Sequence, residues 1–91
     1  MKYADGQEIS AGDLILVSPG SHGIVLFDFD NLRSVEGFDW EPWAAYLKSG
    51  VLVESEKEGL IHFTVLDPDL KLLKREHRPV FVVDSTKRGA E

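Results

Sequence analysis

Two carboxylates one residue apart, Asp28 and Asp30, are the nearest thing in this chain to an acid/base pair. On a strand both would face the same side, and with Asp39 or Glu41 they could hold a divalent ion or share a proton. No D-x-D-x-D-G loop accompanies them, so a solvated face is the simpler expectation. Three histidines, His22, His62 and His77, lack any ligand spacing such as H-x3-H. They read as a turn, a strand-face and a loop histidine, and no metal site is expected. None of Ser10, Ser18, Ser21, Ser34, Ser49, Ser55 and Ser85 stands in a G-x-S-x-G setting, and there is no cysteine, P-loop or G-x-G-x-x-G. The chain is therefore expected not to be an enzyme and to carry no cofactor.

Charge placement is more informative than any motif. Between Asp28 and Glu41, five acids (Asp28, Asp30, Glu36, Asp39, Glu41) stand against Arg33 alone. The same stretch holds Phe29, Phe38 and Trp40, with Phe27 and Trp43 at its borders. Acids that steer and aromatics that anchor make a protein-binding surface. Asp28, Asp30, Asp39, Trp40 and Glu41 are the candidate partner-binding residues. The plainer reading makes Trp43 and the phenylalanines core, ringed by acids, with Trp40 open to either role. Between Lys71 and Arg78 the bases Lys71, Lys74, Arg75 and Arg78 stand against Glu76 alone. They are the candidate nucleic-acid contacts, or else a charged strand edge that blocks edge-to-edge aggregation. The net charge of −6 disfavours a polyanion partner.

The elements that must position these residues are short strands. At 91 residues, 43% of them hydrophobic, one domain over residues 1–84 is expected, with a flexible tail over 85–91. Leu14–Val17 and Ile24–Phe27 are apolar runs around the turn Ser18-Pro19-Gly20-Ser21, a hairpin signature. Strand one is read as Asp13–Ser18 and strand two as Gly23–Phe29. Alternation puts Val25, Phe27 and Phe29 on the core face and Asp28 and Asp30 opposite. Ile24 and Leu26 break that alternation, which implies cover on both sides or a bulge. Asn31–Asp39 reads as a mobile connection. Asp39–Gly50 is the helix candidate: Asp39 as N-cap, Pro42 in the first turn, Lys48 in the last, Gly50 as C′ stop. Its stripe pairs Trp43 with Leu47 and Pro42 with Tyr46. Val51–Glu54 and Leu60–Val65 flank a charged loop, Ser55–Gly59, as a second hairpin. Asp67–Leu70 turns into a strand over Lys71–Arg75, and Val80–Asp84 is a last strand that either closes the barrel or pairs with a second copy in a homodimer. Five or six short strands and one short helix predict a mainly β fold, a small SH3-like barrel, with an OB-type barrel and an α+β sheet as alternatives.

The opening Tyr3-Ala4-Asp5-Gly6, then Gly12-Asp13 and Gly23-Ile24-Val25, resembles the "YADG…GD…G-VV" start of a group of short stand-alone bacterial proteins. Trp43 with Tyr46–Val53, Gly59–Phe63 and Asp67–Leu70 continue the similarity over most of residues 3–75. The resemblance implies a small SH3-like barrel and, for some members, a toxin–immunity setting. A second similarity, through Gly23-Ile24-Val25, is to the KOW element, which contacts RNA or protein. Together with the acidic, aromatic stretch, these imply a non-enzymatic interaction module of immunity or antitoxin type that neutralises a partner protein such as a toxin. The alternative is a KOW-like nucleic-acid module using the basic stretch. No apolar run reaches the ~20 residues that span a bilayer and no secretion signal is visible at the start, so a cytoplasmic location away from membranes is expected.

Overall fold

A computed structural model describes residues 1–45, 47–75 and 77–83. Its elements are β1 (Leu14–Ser18), β2 (Ser21–Asp28), β3 (Arg33–Val35), α1 (Glu41–Ala44), β4 (Val51–Ser55), β5 (Gly59–Phe63), β6 (Lys71–Lys74) and β7 (Val80–Val82). The architecture is mainly β with one short helix, as the short alternating runs imply. All pairings are antiparallel. The sheet runs β5-β4-β2-β1-β6, while β3 pairs with β2 and β7 pairs with β3. Its two ends, β5 and β6, are not hydrogen-bonded to each other, so the sheet does not close on itself. Among the described residues no helix is long and apolar enough to cross a membrane.

The first hairpin forms where expected. Ser18 pairs with Ser21 across Pro19-Gly20, and Gly20 takes φ +77°. Proline followed by a positive-φ glycine suits a type II turn.

The face assignment of β2 needs correction. Val25 pairs with Val53 and Phe27 with Leu52, so Leu26 is an extra residue opposite one bond of β4. This bulge flips the parity of the strand. Val25 joins Tyr3, Ile9, Ile15, Val51, Val53 and Leu70 in a first core. Phe27 and Phe29 turn to the opposite face and join Ala44, Leu52 and Val83 in a second. β2 is thus buried on both sides over its second half. Burying a side chain such as Phe27 contributes about 2–3 kcal/mol, so each core is substantial for a domain of this size.

The stretch 31–39 is not merely a connection. Arg33-Ser34-Val35 forms β3, paired to Phe27 and Asp28 on one side and to β7 on the other. The final strand signal is therefore used inside the chain: Val80–Val82 pairs with β3, and Val83 is buried in the second core. The expected tail 85–91 lies outside the described residues, as do Asp84, Tyr46 and Glu76.

The helix is shorter than expected. It covers Glu41–Ala44, with Trp40 rather than Asp39 at the N-cap and no side-chain cap. Pro42 lies in the first turn, where its missing N–H costs nothing. Lys48 is not in the last turn, which holds no basic residue; it lies beyond the helix, and its Nζ donates to the Ala45 carbonyl at 3.3 Å. Gly50 does not end the helix. It is buried at φ +87°, donates nothing to α1, and its carbonyl accepts from Phe29 N–H at 2.9 Å. A Cβ there would run into the Phe63 backbone, so glycine is needed for the approach of two chain segments.

The second hairpin pairs Ser55 with Gly59 across Glu56-Lys57-Glu58, close to the expected boundaries. The lead-in adds one bridge, Lys2 to Glu8, and folds Tyr3 and Ile9 over the first core.

Candidate functional site

The five acidic–aromatic candidates are split between surface and interior. Asp28 is only 1% exposed. Its Oδ1 accepts the backbone N–H groups of Asp30 (3.0 Å) and Asn31 (3.3 Å), and its Oδ2 accepts from Asn31 Nδ2 (2.8 Å). Asp28 is a turn cap between β2 and β3 and is removed from the surface set. The reason is the bulge at Leu26, which sends position 28 inward rather than to solvent. Asp30 is exposed, with Oδ1 accepting from Gly50 N–H at 3.3 Å. Asp39 and Glu41 are exposed at the entry to α1. Trp40, between them, is half-buried and stacks on Phe27, ring centroids 5.7 Å apart and planes 19° apart. Trp43 is half-buried against the same core.

The four basic candidates do not share one environment. Lys71 and Lys74 are exposed on β6. Arg75 Nη1 donates to the buried Asp13 carboxylate at 2.9 Å. Arg78 is half-buried and donates to the Glu36 carbonyl at 3.4 Å. Asp13 also accepts from the Tyr3 hydroxyl (2.7 Å) and Ser10 N–H (3.0 Å), so Arg75 belongs to a structural network rather than to an open patch. Burial, and then the bond to Asp13, push the Tyr3 phenol pKa far up, so the hydroxyl stays a donor.

Sequence reasoning missed a second cluster. The loop after β4 folds back on the β1–β2 turn. Glu58 accepts from the hydroxyls of Ser18 (3.1 Å), Ser21 (2.8 Å) and Ser55, and these bonds hold its carboxyl below the usual glutamate range, that of Ser55 most. Glu56 Oε1 accepts from His22 N–H and from its imidazole Nδ1, both at 2.9 Å, and the backbone bond is the larger cause of its lowered pKa. The hydroxyls of Ser21 and Ser55 lie within hydrogen-bonding distance of each other and both donate to Glu58, not to an imidazole. No local signal marks this cluster: it depends on register between two hairpins 34 to 40 residues apart.

His22 and Glu56 line a cleft of about 680 Å³ on the outer face of the sheet, the face turned from the first core. Leu14 and Ile24, a cross-strand pair, form its floor. Glu54 and Glu56 stand on the β4 side. His77 and Arg78 stand on the other, where both backbone N–H groups donate to the Gly12 carbonyl, at 2.8 and 3.4 Å. His62 lies elsewhere, its Nε2 bonded to the Ser49 carbonyl at 2.7 Å and its ring edge-on to Phe29. Among the described residues no three His, Asp or Glu side chains are grouped to hold a metal ion.

Comparison with family models, curated proteins and solved structures finds no match.

Proposed function

We propose that this protein is a non-enzymatic protein-interaction module, an immunity or antitoxin-type protein that binds and neutralises a partner protein such as a toxin in the cytoplasm. The scaffold for this reading is an SH3-like barrel. Its support is the pairing order: β1, β2, β4 and β5 form a meander, and β6 returns to pair with β1. In this reading β3, α1 and β7 are additions that cover one outer face of that meander.

The observation that carries the interaction reading is the setting of Trp40. Its ring is fixed against buried Phe27 while Asp39 and Glu41 on either side are exposed. A half-exposed aromatic held in place loses little conformational freedom on docking, and neighbouring carboxylates steer a basic partner toward it. Asp30 extends the acidic set at the β2–β3 turn; Asp28 is not part of it.

The test uses the protein encoded beside this one. Binding measured by calorimetry is expected to weaken with added salt, and Asp30→Ala, Asp39→Ala and Glu41→Ala together to weaken it at least tenfold. Unchanged affinity in that triple variant rejects this surface.

A further inference from the structure

The cleft between the two hairpins has opposite charge on its two walls, and the acidic–aromatic face does not account for it. From this arrangement we infer a second binding site, for an extended peptide segment of a partner protein with a basic residue at one end, an acidic residue at the other and aliphatic residues between. The inference is independent of the Trp40 face, and either can fail alone.

The charge polarity follows from strand order. β4 lies on one side of β2 and β1 on the other. Glu54 pairs with Ile24, and Ile24 with Leu14, so one transverse row runs carboxylate, isoleucine, leucine. Lys74 pairs with Leu14 and continues the row to a cation. Above that end stand His77 and Arg78, anchored on Gly12. Two strand spacings separate the acidic wall from β1, about 10 Å, which three or four extended residues span.

The acidic wall is already organised. Two bonds from His22 hold Glu56 as the carboxylate, and three serine hydroxyls on Glu58 fix the loop that carries it. The Glu54 carboxylate has no hydrogen bond or ion pair among the described residues, so its charge is available to a ligand. The cleft volume, about 680 Å³, lies in the range of ligand sites, and its floor is aliphatic. A peptide with one charge sign throughout would meet one wall of like charge.

The experiment is an NMR titration of the full chain with acetyl-Lys-Leu-Val-Glu-amide. Acetyl-Lys-Leu-Val-Lys-amide and acetyl-Glu-Leu-Val-Glu-amide are the comparison probes. Saturable amide shifts at Leu14, Ile24, Glu54 and Gly59 are expected with the first, at least fivefold weaker with the other two. Glu54→Lys and Arg78→Glu should each weaken binding at least fivefold. The double swap, with Glu56→Lys and Lys74→Glu added so that both walls reverse, should restore it, because the peptide then lies in the opposite direction. Restoration excludes a merely structural effect of either change. Equal response to all three peptides, no saturation, or no recovery in the variant with both walls reversed overturns the inference.

Discussion

Asp28 is the residue at which a surface role and a structural role give opposite outcomes. Replacing it with alanine removes the acceptor of two backbone N–H groups and one side-chain amide at the β2–β3 turn. Bonds to a charged acceptor contribute about 1 kcal/mol or more each when one partner is removed, and loss of a comparable cap costs about 0.5–2 kcal/mol. The shorter bonds, at 3.0 and 2.8 Å, dominate, so Asp28→Ala should cost about 2–3 kcal/mol. For a domain of this length that lowers Tm by about 10–20 °C. Asp28→Asn keeps one acceptor oxygen and should cost about 1 kcal/mol. Asp39→Ala, at an exposed position, should stay within about 0.5 kcal/mol of the parent. Urea unfolding followed by circular dichroism reads all three, with the midpoint falling and the m-value constant. If Asp28→Ala and Asp39→Ala unfold at the same urea concentration, the carboxylate is not held in the turn and the inward assignment of position 28 is wrong.

Gly50→Ala should cost over about 3 kcal/mol or prevent folding, since a Cβ meets the Phe63 backbone and the positive φ adds about 1 kcal/mol. Gly37→Ala, at φ +86° with open space around it, should cost only about 1 kcal/mol; equal urea midpoints for the two would refute the close approach. Tyr3 makes stability fall at alkaline pH. Its folded-state pKa is raised, so the stabilisation is whole below the unfolded tyrosine value of about 10 and is lost as pH rises beyond it. Urea midpoints between pH 8 and 11.5 should show that decline, and Tyr3→Phe should flatten it.

Much of the sheet is legible in the sequence because its turns carry their own chemistry. Pro19-Gly20 and the Gly59-closed loop place two hairpins within a residue or two. β3 is not legible: three residues flanked by Leu32 and Glu36 make no periodic pattern, and pairing on both edges, not propensity, holds them extended. The site candidates split for the same kind of reason. Asp39, Trp40 and Glu41 stand together at a helix start because they are consecutive, but the N-cap is Trp40 and not Asp39. Asp28 does not stand where local reading puts it, because a single extra residue at Leu26 reverses the face of everything after it in the strand. Gly50 is held against β2 and β5 rather than at the end of α1, so its glycine signal marks a close approach of strands and not a helix stop.

That reversal at Leu26 has a thermodynamic side. β2 gives Val25 to one core and Phe27 to the other, and β4 does the same with Val53 and Leu52. Neither core can open without withdrawing a strand from its neighbour. A fold with two separate apolar clusters would ordinarily exchange its amides in two groups with different free energies of opening. The amides of Val25, Phe27, Leu52 and Val53 are therefore expected to exchange as one group with a single free energy of opening, which native-state hydrogen exchange would read.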